Sequence, residues 1–149
     1  MKRIFTLLMA ILLLLCGCGP NKNEFQATYL PGSFDSHKQY PVITVLHNTG
    51  ERDAYAATVT SNSVNEALSA YDEEFFSQRI VFVLEISMGS SSYRYTVDKI
   101  YQATDVTTFV LKQAPVNGAV PAVMGSMTVL VEMDKSWDCA PENIKIEYQ

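Results

Sequence analysis

The residues with the most specific chemistry in this chain are two thiols near its N-terminus. The run Leu15-Cys16-Gly17-Cys18 closes an uncharged apolar stretch, Ile4 to Leu15, that follows Met1-Lys2-Arg3. Basic residues, then about a dozen apolar ones, then small residues make a secretion signal. The stretch is too short for a membrane span, which needs roughly 20 apolar residues. Cys18 has Gly17 before it and Leu15 three positions back, as a lipid-attachment cysteine requires, whereas cleavage at Cys16 would place bulky Leu15 at the cut. Sulfur carries the diacylglycerol, and cleavage frees the cysteine amine for further acylation. Each buried CH2 contributes about 0.8 kcal/mol, so two or more chains anchor stably. The spacing predicts a signal over residues 1–17, lipidation at Cys18, and a place in the bacterial cell envelope outside the cytoplasm. The next residue is Gly19 rather than Asp, which removes one sign of inner-membrane retention.

The remaining chemistry-bearing residues do not assemble into a catalytic pattern. His37 and His47 are the only histidines, ten apart, and their spacing does not make a metal site. Gly89-Ser90-Ser91-Ser92 lacks the second glycine and the strand-to-helix turn of a nucleophile elbow, so it reads as a polar hairpin loop. Asp72-Glu73-Glu74 is the densest charge cluster. Adjacent carboxylates point to different sides of a helix, and negative charge in a first turn complements the helix dipole. Cys139, within Trp137-Asp138-Cys139-Ala140-Pro141, is the one thiol left after signal removal and lipidation. It reads as a half-buried small residue, because no cation adjoins it in sequence to make it reactive. The expectation is therefore no enzyme, no catalytic residue, no metal and no cofactor. Tyr93, Tyr95 and Tyr101 lie on or near one expected hairpin, where filling the core is favoured over forming a binding face. The nearly uncharged loop Ala114 to Ser126 is expected to cover the sheet or dock a partner.

These residues are positioned by a β-rich framework. Pro41 to Leu46 is a short apolar, β-branched run, read as a strand. Glu51 to Val59 is read as a short helix. Ser63-Val64-Asn65-Glu66 matches a capping box opening a second helix toward Tyr71. Phe75-Phe76 would anchor a further turn. Ile80 to Leu84 is apolar at every position, which marks a central strand covered on both faces. Alternating rows follow at Tyr93–Val97, Phe109–Leu111, Met127–Met133 and Ile144–Tyr148. The fold class is mainly β (α+β): an antiparallel sheet or sandwich of about six strands, with one or two short helices between the first and second.

Cleavage before Cys18 leaves 132 of the 149 residues, enough for one domain. Residues 18–40 are expected to be the lipidated N-terminus and a flexible tether, and residues 41–149 the single domain. Loss of Lys2 and Arg3 takes the formal charge from −5 to −7. An acidic surface argues against nucleic acid as a partner and against electrostatic adhesion to anionic lipid. Attachment to the membrane must then come from the covalent lipid.

A resemblance enters at Tyr71-Asp72-Glu73-Glu74-Phe75-Phe76 followed by Ile80 to Leu84. It continues through the Gly-Ser loop at 89–92, a Tyr-Val strand, a Phe-Val-Leu strand, an Ala/Pro/Gly loop and Thr128 to Lys135. Over roughly Thr44 to Tyr148 the chain resembles the PrcB-type domain of small secreted or lipidated bacterial proteins. The resemblance implies an accessory role beside a cell-surface protease and offers no catalytic residues. The functional expectation is a membrane-anchored, non-catalytic protein-interaction module with a secreted or surface protein as partner. The alternative is a small-ligand-binding lipoprotein associated with transport.

Overall fold

A computed structural model of the chain describes residues 24–89, 93–116 and 125–149. Seven strands form two sheets. The first sheet is antiparallel and holds β1 (Gln26–Gly32), β6 (Gly125–Asp134), β3 (Arg79–Met88) and β2 (Val42–Leu46), in that order. The second holds β4 (Tyr93–Ala103), β5 (Val106–Pro115) and β7 (Ile144–Tyr148). There β4 pairs antiparallel with β5, and β7 pairs parallel with it, so this sheet is mixed. Three short helices, α1 (Thr49–Ala56), α2 (Asn62–Leu68) and α3 (Glu73–Gln78), connect β2 to β3.

The order of layers follows from side-chain alternation. On β3, Ile80, Phe82, Leu84 and Ile86 face the second sheet and pack with Phe109, Leu111, Val129 and Val131. Phe82 and Phe109 meet across the layers with ring centroids 5.2 Å apart. The other face of β3 sends Val81 and Val83 against Val64, Leu68, Tyr71 and Phe76 of the helical layer. Both faces are thus covered, and this is why β3 reads as an unbroken apolar run. Tyr71, Phe75 and Phe76 form a tilted aromatic cluster, with Tyr71–Phe75 centroids at 4.6 Å and Phe75–Phe76 at 5.3 Å. The Phe pair therefore anchors α3 as its sequence implied.

The second sheet is mixed where an antiparallel one is expected, because β7 returns beside β5 through a crossover, and the architecture differs from the sequence expectation in three further ways. The stretch expected as tether contains β1, which pairs residue for residue with β6 from Gln26↔Glu132 to Gly32↔Ser126. The following loop is also fixed. Lys38 Nζ donates to Glu85 Oε2 at 2.8 Å, and the Phe34 and Tyr40 rings stack at 5.9 Å. Pro31 and Gly32 hide the strand from a pattern search, yet both suit an edge strand, where one side needs no ladder bonds. Second, β3 and β4 lie in different sheets and do not pair as a hairpin; residues 90–92 of the Gly89–Ser92 segment fall outside the described residues. Third, there are three helices, and α2 starts earlier than the capping box suggests. The amide of Asn65 donates to the Ser61 carbonyl, which makes Ser61 the N-cap and puts Ser63 inside the helix.

One irregularity matters below. The β4–β5 register shifts between Val97 and Lys99, so Val97 and Ile100 both turn into the core although they are three apart. The extra residue of a bulge reverses the alternation after it. Tyr101 accordingly points away from the core and is exposed, correcting the expectation that it fills the interior.

Candidate functional site

Cys18 lies outside the described residues, as does the centre of the apolar loop, residues 117–124. What the structure adds is where the packed domain begins. Phe25 already packs against the inter-sheet core, and β1 begins at Gln26. Six residues, Gly19 to Glu24, separate Cys18 from Phe25. At 3.3–3.6 Å per residue such a leash spans at most about 25 Å. Among the described residues no helix is long and apolar enough to cross a membrane.

Where the edge of the first sheet meets that of the second, β1 lies beside β4. The Tyr29 hydroxyl accepts the Val97 backbone N–H at 2.9 Å, satisfying an amide beside the bulge. Next to this contact is an apolar cavity of about 90 Å³, lined by Tyr29, Leu30, Pro31, Met88, Met127 and Ser126, with exposed Arg94 at its rim. Tyr, Met and Arg are the residue types enriched where proteins meet. On the inward side of β4, Tyr93 packs edge-on to Tyr95, and Tyr95 edge-on to half-exposed Tyr148.

At the opposite side, β2 and β7 are the outer strands. The crossover from β6 to β7 passes there through two 3-10 turns, η1 (Lys135–Trp137) and η2 (Pro141–Asn143). His47, at the end of β2, lies between two carboxylates. Its Nδ1 is 2.8 Å from Glu51 Oε2, and its Nε2 is 2.8 Å from Asp138 Oδ1 on the crossover. Burial lowers the His47 pKa, but the hydrogen bonds to Asp138 and Glu51 outweigh it and raise the group above its ordinary value. Burial likewise opposes the charge on Glu51, and the bonds from the His47 amide and ring overcome it, so its pKa is lowered. The i,i+4 spacing of His47 and Glu51 was a usable sequence signal; nothing in the sequence pointed to Asp138.

The helical face carries two Tyr–Glu pairs with one cation each. Tyr55 donates to Glu85 Oε1 at 3.1 Å, and Lys38 holds the other oxygen. Tyr71 donates to Glu132 Oε1 at 3.1 Å, and Arg79 holds Oε2 at 3.0 Å. The carboxylates are 13 % and 17 % exposed. Burial, reinforced by the neighbouring carboxylate, pushes both tyrosine pKa values up. The first pair floors a polar cleft of about 140 Å³ with Ser33, Asp35, Thr58 and Thr60 at its rim. Glu132, the acidic residue within the Met127–Met133 row, thus supports the helical layer.

The other sequence candidates fall into local structural roles. His37 is exposed, and its amide bonds to Asp35 Oδ1. Asp72 caps α3 by accepting the Phe75 N–H at 2.8 Å, with Glu73 and Glu74 in the first turn. Cys139 is half-buried against the core, its thiol donating to the Thr107 hydroxyl at 3.5 Å. Among the described residues no group of three His, Cys, Asp or Glu side chains is arranged to hold a metal. No protein-family model, curated protein or solved structure matches the chain.

Proposed function

We propose that this chain is a lipid-anchored, extracytoplasmic module that binds a protein partner close to the membrane and performs no catalysis. The observation that carries this reading is the short distance between Cys18 and the first packed residue, Phe25. A lipid on Cys18 would hold the domain within about 25 Å of the bilayer, so its partner must also work at that surface.

The non-catalytic part is supported by the only histidine with close acidic partners. As imidazolium, with both ring nitrogens donating to carboxylates, His47 has no lone pair with which to activate a nucleophile. A carrier of small molecules is less favoured, because sites for such ligands typically run about 300–1,000 Å³. The two clefts described above are about 90 and 140 Å³, and a third depression beside His47, about 350 Å³, is shallow and open. We assign the partner to the β1–β4 side, where an apolar cavity lined by Tyr29, Met88 and Met127 adjoins the Arg94 cation. The resemblance to PrcB-type domains makes a secreted or surface protease the first partner to test.

The test is membrane fractionation of wild type and Cys18→Ser, followed by crosslinking of the wild-type protein in intact cells. The expected result is membrane attachment lost in C18S, and a crosslinked partner lost in Arg94→Glu. A C18S protein processed and membrane-bound like wild type would overturn the anchor. A crosslinking pattern unchanged by Arg94→Glu would overturn the assigned face.

A further inference from the structure

Imidazole chemistry makes the placement of His47 informative beyond its pKa. Each of its ring nitrogens lies 2.8 Å from a carboxylate oxygen. A carboxylate oxygen only accepts, and a neutral imidazole has only one N–H to give. Both contacts are satisfied together only by the imidazolium. When the ring is neutral, one nitrogen lone pair must face an anionic oxygen, and that contact opens.

The two carboxylates are not equally free to leave. Glu51 Oε2 also accepts the His47 backbone N–H at 2.8 Å, and Oε1 accepts Asn48 Nδ2 at 3.0 Å. Glu51 is thereby fixed to the same turn as the imidazole. The carboxylate of Asp138 makes no second hydrogen bond among the described residues, and it belongs to a different part of the chain. The contact that gives way is therefore the one to Asp138.

We propose that His47 is a proton-operated latch. As imidazolium it ties the end of β2 to the β6–β7 crossover; on losing its proton it releases Asp138 and loosens that crossover. The segment it would loosen carries Trp137 and Cys139, both packed on the inter-sheet core, so its movement changes the β2–β7 side of the sandwich. The charged groups around the ring come from four elements. Glu51 is on α1 and Asp138 on the crossover, while Glu73 of α3 and Lys135 of η1 line the same depression. Three carboxylates against one ammonium favour the charged ring. The latch does not depend on lipidation or on the assigned partner. If the domain stands outside the cytoplasm, it makes one side of the module responsive to external pH.

The test uses the mature protein in detergent micelles. NMR follows the His47 ring titration, assigned with His37→Asn and referenced to an unstructured peptide spanning residues 44–50. Amide exchange of residues 135–140 is measured at pH 5.5 and 8.5, corrected for intrinsic rates and compared with β3 and β6. The expected result is that His47 titrates above the peptide and that crossover protection falls about two- to fivefold at the higher pH, the range for an exposed ion pair. In Asp138→Asn both the upward titration and the pH dependence should shrink. The proposal is overturned if His47 titrates at or below the peptide, if crossover protection is the same at both pH values, or if Asp138→Asn leaves the titration unmoved.

Discussion

On the β1–β4 side a phenol hydroxyl satisfies a backbone amide across the two sheets, whereas on the β2–β7 side an imidazole lies between two carboxylates. The first bond joins a hydroxyl to a backbone amide, and an apolar cavity lies next to it. The second holds only in one protonation state and fastens a crossover that also packs on the core through Trp137 and Cys139. Two edges of one sandwich can therefore differ in what they do. The first side keeps its shape and can present a fixed surface; the ionic side can change with its surroundings.

This contrast can be broken most severely from the shared core. Phe82→Ala should cost about 3–5 kcal/mol, because it removes the aromatic contact between the layers and leaves a cavity. Urea unfolding should show that loss at any pH, with both sides loosened together. Equal protection of one side in the variant and in wild type would show that the two edges fold independently.

Smaller effects separate the sides. A Cβ at Gly32 would stand 2.6 Å from Ser126 Oγ and 3.0 Å from the Ser126 carbonyl carbon. Gly32→Ala should therefore strain β1 against β6 by about 1–3 kcal/mol. Tyr29→Phe should cost about 1–2 kcal/mol by leaving the partly buried Val97 amide without its acceptor. Both losses should be equal at pH 5.5 and 8.5. A Tyr29→Phe penalty present at only one of these pH values would contradict the fixed character of that side.

The smallest expected effect is the most selective. His47, Glu51 and Asp138 are 37 %, 45 % and 51 % exposed, so solvent screening limits the clasp to at most about 1 kcal/mol. The His47 pKa is raised in the folded chain, so its contribution is complete below the unfolded value near 6.5 and disappears as pH rises through the folded value. The Glu51 pKa is lowered, so its contribution is present above the unfolded value near 4.5 and disappears as pH falls through the folded value. His47→Gln should thus destabilise most between about pH 4.5 and 6.5, and the penalty should fade as pH rises through the folded His47 value or falls through the folded Glu51 value. Thermal unfolding across that range checks it, and a penalty that grows toward alkaline pH would have the wrong sign.

Much of this fold was legible because its signals are local. The unbroken run Ile80–Leu84 correctly announced a strand covered on both faces, and the alternations at Met127–Met133 and Ile144–Tyr148 marked strands that exist. Residues 26–32 were missed because Pro31 and Gly32 resemble a linker and the segment has little alternation of its own; its order comes from pairing with β6. The Gly89–Ser92 segment reads as a hairpin because a turn-like sequence between two strands does not say whether those strands pair, and β3 and β4 do not. The latch was half-visible, since His47 and Glu51 share a helical spacing, but Asp138 is 91 residues from His47.

Apolar pattern, turn residues and charge, written within short windows of the chain, settled the β-rich class, the apolar central strand, the acidic first turn at Asp72 to Glu74 and the acidic balance. The lipidation motif at Cys18 is also a local property of the sequence. Tertiary structure alone decided that β1 joins the first sheet, that β7 runs parallel to β5 and that His47 meets Asp138. Each of these requires segments distant in sequence to meet, and that is set by which faces remain to be buried once the local elements have formed.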